Sequence, residues 1–127
     1  MNIKEKLYEI IKGLGYPVSD NAADRSDNVF PFLLLRTNTT IENRVNGLIE
    51  TVYDFKVDVF SKYSGEKEIY EINTKISAQV ASLYEDPSII LAKNLGLFIL
   101  EDRSTGIVLK HGVINIIISR VVKEAQA

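Results

Sequence analysis

The sequence predicts an α+β domain, with two helices packed on one face of a mostly antiparallel four-stranded sheet in the order α-β-β-α-β-β. Three observations predict it: two apolar stripes at helical spacing, an Asn46-Gly47 turn signal between two strand patterns, and two apolar strands near the end. With 127 residues the chain is expected to form a single domain over 1–127, large enough to bury one core.

The first helix is predicted near the start of the chain, where apolar residues recur every three or four positions. These residues are Ile3, Leu7, Ile10, Ile11 and Leu14. Gly13 and Gly15 end the helix, and Tyr16-Pro17 prevents its continuation. Residues 18–28 are polar and are predicted to form an exposed loop.

A long hairpin is predicted next, because Asn46-Gly47 favours a two-residue turn. The first strand begins at Pro31, where a missing N–H costs least, and it ends near Val45. The second strand begins at Leu48 and later alternates apolar and polar residues. A plain turn would put the apolar faces of the two strands out of phase, so a β-bulge is expected in the first strand.

The second helix is predicted from a stripe of core-facing residues that ends near Glu85. The stripe comprises Ile69, Ile72, Ile76, Val80 and Leu83. Ser64 is the expected N-cap, and Asp86-Pro87 stops the helix.

The last part of the chain predicts the remaining strands. Residues 89–91 are expected in a packed connection or a turn of helix. Strand patterns at 97–100 and 107–109 flank a polar turn, and the apolar stretch 113–122 indicates a central strand.

Composition argues against several kinds of chemistry. The chain has no cysteine and one histidine, which excludes disulfides, zinc–thiolate sites and a cage of several histidines within one chain. A net charge of −2 disfavours general binding of phosphate backbones. No apolar run reaches the roughly 20 residues of a membrane span, and a cytoplasmic protein is expected.

No residue pattern points clearly to catalysis, a cofactor or a metal, so none is predicted and the chain is expected not to be an enzyme. His111 is interpreted as a turn or strand-edge residue, with a general base as the alternative. Glu101 and Asp102 are expected to point to opposite faces of a strand, and the row of Asp54, Lys56 and Asp58 is interpreted as solvated surface; magnesium binding or glycoside chemistry is the alternative for these acids.

One segment resembles a known protein family. In residues 57–68 a strand ends in Phe60-Ser61-Lys62-Tyr63, passes Gly65 and a Lys-Glu pair, and enters an amphipathic helix. This segment resembles the tail terminator, or tail completion, proteins of long-tailed phages, and His111-Gly112-Val113 resembles their closing strand. The first helix, the Pro31 strand and the chain length also fit, so the likeness covers most of the chain.

The resemblance implies a structural protein of the virion, located in the tail near the neck and assembled in the host cytoplasm. It implies a ring, typically a hexamer of identical copies, that terminates the tail tube and joins it to the head-side neck. Its partners would be itself, the tail tube protein and a neck or connector protein, with DNA only passing through the lumen.

Other functions remain open at this point. A neck head-closure or head–tail connector protein has a similar size, and a small adaptor module outside phages would form a one-to-one complex with its partner. The polar excursions from the compact body are the candidate contact surfaces. Their residues are Asp20, Asp24, Arg25, Asp27, Arg44, Asn46 and Gly47.

Overall fold

The computed structural model describes residues 2–24, 29–103 and 106–124. These ranges form two α-helices and a five-stranded, mostly antiparallel sheet. The elements in chain order are α1 (Ile3–Lys12), β1 (Val18–Ser19), β2 (Phe32–Val45), β3 (Leu48–Ser61), α2 (Lys67–Ala81), β4 (Ile89–Asp102) and β5 (Leu109–Lys123). The predicted α+β class and both helices are confirmed, while the predicted count of four strands is wrong.

The additional strand lies in the segment predicted as a polar loop. Val18 and Ser19 form β1, which runs parallel to β2 opposite Leu33 and Leu34. The N–H of Leu33 also donates to the Pro17 carbonyl at 2.9 Å. Two residues are too few to show an alternating pattern, so the sequence could not indicate this strand. The strand forms by pairing with the edge of β2.

The strand order in the sheet is β1-β2-β3-β5-β4. Strands β3 and β5 therefore have neighbours on both sides, which confirms the central position predicted for the last strand. Strand β5 pairs with β3 from Lys110 to Lys123 and with β4 from Leu109 to Arg120. Strand β4 forms one edge of the sheet. Strand β2 forms the other edge, except where the short β1 pairs with it.

Both helices pack on the same face of the sheet and build the core. Their buried stripes are Ile3, Leu7 and Ile11 in α1 and Ile69, Ile72, Ile76 and Val80 in α2. They contact buried sheet residues of β2, β3 and β5, among them Leu35, Val57 and Ile116. None of the helices in the described ranges is both long and apolar enough to cross a membrane.

Glycine is required where α2 crosses the sheet. A Cβ atom added at Gly112 in β5 would lie 2.7 Å from Cγ2 of Ile69. Real Cβ atoms do not approach a methyl group so closely, so the absence of a side chain lets the helix sit directly on this strand.

The hairpin matches its prediction. Asn46 and Gly47 have φ angles of 51° and 77°, as a two-residue turn of this kind requires. The pairing register shifts between Thr37 and Thr39, which is the expected bulge. As a result Leu33 lies opposite Val59 and Leu35 lies opposite Val57, and all four side chains reach the core.

Several boundaries differ from the prediction. Strand β4 is continuous from Ile89 to Asp102, because register shifts at Ile90 and Leu95 absorb residues that break the alternation. The N-cap of α2 is Glu66, which makes no side-chain capping bond, so Ser64 does not cap the helix.

Asp86 organises the connection between α2 and β4. Its carboxylate accepts from the backbone N–H of Ser88 at 2.9 Å, from the Ser88 hydroxyl at 2.7 Å and from Lys6 Nζ at 3.0 Å. The hydrogen bonds from Ser88 and the nearby Lys6 ammonium hold the pKa of Asp86 well below its usual range. The carboxylate thus connects α1 to the start of β4.

Candidate assembly surfaces

The face of the sheet opposite the helices, here called the open face, has mixed chemistry. Phe32, Leu34 and Phe60 form a small buried cluster on it, and Phe30 packs against that cluster. Beside the cluster lies a group of ionisable side chains from three adjacent strands, with Arg36 in β2, Asp58 in β3 and His111 in β5. An open face of an antiparallel sheet usually contacts water, so its buried charges need an explanation.

Asp58 is the centre of this group, and its side chain is only 4% exposed. It accepts two hydrogen bonds from Arg36 in β2, from Nε and, at 2.9 Å, from Nη2. Nε2 of His111 in β5 lies 2.8 Å from the same carboxylate. Burial raises the pKa of Asp58, but hydrogen bonds from His111 and Arg36 outweigh it and hold the pKa below its usual range.

Because Asp58 is ionised, it accepts a hydrogen bond and Nε2 of His111 carries the hydrogen atom. The His111 ring also stacks on Phe60, with 4.5 Å between ring centroids. These contacts orient the imidazole and tie together β2, β3 and β5. The arrangement therefore contributes to the register of the sheet.

Two sequence interpretations are wrong here. Asp58 is buried and does not belong to a solvated row, although Asp54 and Lys56 remain partly exposed. His111 lies inside a central strand and not at a turn or an edge. Neither fact is visible in the sequence, because 53 positions separate His111 from Asp58.

The acidic residues considered as metal ligands do not converge. Among residues 2–24, 29–103 and 106–124, no group of three His, Asp or Glu side chains is placed to hold a metal ion. Glu101 accepts from Arg103 at 3.0 Å and from Lys110 at 3.3 Å, and these cations lower its pKa.

Surface depressions of about 330 and 450 Å³ lie beside α2 and α1, lined in part by Tyr63 and Tyr8.

The predicted contact residues of the hairpin are all exposed at its tip. Arg44 donates to Glu42 at 3.1 Å and to Glu124 at 2.7 Å. Asn46 and Gly47 form the turn, and the Gly47 carbonyl accepts from the backbone of Glu124 at 2.8 Å. The end of β5 thus supports the tip, and the polar side chains face solvent.

The predicted contact residues before β2 are only partly described. Asp20 is exposed, with Lys4 Nζ 3.8 Å from its carboxylate. Asp24 accepts from the Ser19 hydroxyl at 2.5 Å, which closes a short 3-10 turn over Ala22–Asp24. Arg25 and Asp27 lie outside the described residues.

One exposed apolar surface was not identified from the sequence. Phe98 is 63% exposed on the open side of β4, and Leu100 beside it is also exposed. Leu95 and Ile90, at the two register shifts, are exposed as well. The apolar residues on both sides of this strand were a signal, but only the sheet order shows that it is an edge.

Comparison with protein-family models and with curated proteins identifies no match to this chain. The similarity to tail terminators therefore rests on the residues quoted from the sequence.

Proposed function

We propose that this protein is a structural component of a long-tailed phage that assembles into a ring, terminates the tail tube and presents a joining surface to the neck. It acts through shaped surfaces and carries out no chemical reaction. The resemblance of residues 57–68 and 111–113 motivates the tail position, while the exposed surfaces of the fold support assembly.

The observation that carries the proposal is the exposed apolar edge of the sheet. Strand β4 has no strand on its outer side among the described residues, and it displays Phe98 and Leu100. An unpaired strand edge is a template for another chain, and soluble proteins normally blunt it. Exposed aromatic residues at such an edge are typical of an interface core.

A ring places a further requirement on the subunit. Each copy needs two different surfaces that match, so that a repeated rotation closes. The edge of β4 is the candidate for one of them, and the hairpin tip with the segment around Asp20 is the candidate contact to other copies or to neighbouring proteins. The mildly acidic chain also suits a lumen that must release DNA, since each lysine or arginine contact to phosphate adds affinity.

The proposal is tested by mixing the purified protein with headless tail tubes of the phage concerned and imaging them by electron microscopy. A terminator caps the tubes and stops their growth without heads, and Phe98→Lys abolishes capping while the chain stays folded. Tubes that keep growing would favour a connector of the neck. A one-to-one complex with a different protein would favour an adaptor.

A further inference from the structure

The outer edge of β2 is a second unpaired strand edge. Strand β1 covers β2 only at Leu33 and Leu34, so within the described part of the chain the stretch from Leu35 to Val45 has a strand on one side only. Beyond the bulge the pairing of this stretch with β3 is regular from Thr39 to Val45. A regular, exposed strand of this length can accept another strand by main-chain hydrogen bonds.

The same stretch carries apolar side chains that the fold leaves in water. Ile41 is 53% exposed and Val45 is 63% exposed, and both point to the same side of β2. Leu48, which lies opposite Val45 in β3, is also exposed. Three apolar residues at the tip of a polar hairpin indicate a surface that becomes buried in a complex.

The turn fixes which backbone groups point outwards. In a two-residue hairpin the closing residues, Val45 and Leu48, form a hydrogen-bonded pair. The backbone groups of Val45, Asn43 and Ile41 therefore point towards β3, while those of Arg44 and Glu42 point away from the sheet. A new antiparallel strand must bond to Glu42 and Arg44.

We infer that two copies of this chain pair through this edge, antiparallel and centred on Asn43. In that register Glu42 of each copy lies opposite Arg44 of the other, and the two residues exchange main-chain hydrogen bonds. Ile41 of each copy lies opposite Val45 of the other on the second side. The segment Ile41–Val45 is thus complementary to itself in charge and in apolar character.

Neighbouring registers fit less well. Two-fold pairing in which the outward backbone groups of Glu42 and Arg44 still form the hydrogen bonds can also be centred on Glu42 or on Arg44. Those registers place Glu42 opposite Glu42, or Arg44 opposite Arg44, and like charges directly opposite are destabilising. Centring on Ile41 leaves both charged residues without an opposite charge across the pair.

The monomer contacts are compatible with this pair. Arg44 uses Nε for Glu42 and Nη1 for Glu124, and all three side chains are exposed. Pairing brings the two Glu42 carboxylates and the two Arg44 guanidinium groups into one alternating network. The pair is complete with two copies, so it is distinct from a ring contact and does not rest on the proposed function.

Charge reversal tests the register. Glu42→Arg and Arg44→Glu should each raise the dimer dissociation constant by about tenfold or more, because like charges then face each other. Sedimentation equilibrium of the whole chain measures this constant. Mixing the two variants should restore dimer formation, as heterodimers. The double variant, which carries both substitutions, should form dimers with itself. Their urea unfolding midpoints should stay close to that of the unchanged chain.

Cysteine crosslinking tests the centre independently, since the chain has no native cysteine. Two Asn43→Cys copies would face each other in a non-hydrogen-bonded pair, whose Cα separation of about 4.5 Å is close enough for a disulfide. Thr39→Cys, on the same side of β2, is the matched control, because its two copies would be more than about 20 Å apart.

Mild oxidation should therefore give covalent dimers of Asn43→Cys and few of Thr39→Cys. Equal crosslinking of the two variants would overturn the inference. A chain that stays monomeric at the highest soluble concentration, or reversal variants that associate as strongly as the unchanged chain, would overturn it as well.

Discussion

Replacing Asp58 by asparagine should destabilise the protein strongly, although the change preserves the size of the side chain. Asp58 is buried and binds Arg36 and His111 through its carboxylate. The asparagine amide presents N–H groups where the carboxylate presents an oxygen, so at least one donor loses its partner. The variant also leaves the Arg36 charge without its carboxylate.

The magnitude follows from how far each partner can return to water. Removing one member of a buried ion pair costs about 3–5 kcal/mol. The Arg36 side chain is 45% exposed and can be rehydrated, which lowers the cost to about 3 kcal/mol. With a urea m-value of about 1.5 kcal/mol per molar, the unfolding midpoint should fall by about 2 M.

Asp54→Asn is the matched control, because Asp54 lies on the same strand and the same face. It is partly exposed and accepts one hydrogen bond, from Asn38 at 2.9 Å. Its replacement should cost less than about 1 kcal/mol. Urea unfolding followed by circular dichroism measures both variants, and equal midpoints for them would refute the structural role given to the cluster.

The pH dependence of the stability of the unchanged chain and of Asp58→Asn gives a second check. The folded pKa of Asp58 is lowered, so its contribution is fully present above the unfolded carboxyl pKa of about 3.9 and is lost as pH falls through the folded pKa. The difference in stability between the unchanged chain and Asp58→Asn should therefore be largest near neutral pH. It should shrink below about pH 4.

Three further substitutions and one control substitution test the local geometry by the same urea measurement. Gly112→Val places a side chain where α2 crosses β5 and should cost about 2 kcal/mol or more, and an unchanged midpoint would contradict this packing. Gly47→Ala should cost about 1 kcal/mol because φ is +77°, whereas Gly65→Ala, in open space, should have little effect. Asp86→Asn should cost about 1 kcal/mol at neutral pH. Because the fold lowers the pKa of the Asp86 carboxyl group, that cost should diminish as the pH falls below about 4. A cost that persists at lower pH would point to a cause other than charge.

The sequence by itself determined the elements whose signals are local. The apolar stripes of both helices, the Asn46-Gly47 turn and the need for a bulge in β2 all follow from spacing along the chain. The central position of the last strand followed from apolar residues on both of its faces, because a strand flanked by two other strands exposes less of its side chains to water than an edge strand does. Each of these patterns lies within one helix, one strand or one hairpin, so no contact between distant segments is needed to recognise it.

The tertiary structure decided which segments become neighbours. The parallel pairing of Val18 with Leu33, the continuity of β4 through two register shifts and the edge position of Phe98 depend on contacts between distant parts of the chain. The clearest case is Asp58, which alternation alone placed on a wet surface. Alternation reports that a residue points away from the core, but burial also depends on what the adjacent strands place beside it, and here Arg36 and His111 cover the carboxylate and form hydrogen bonds with it.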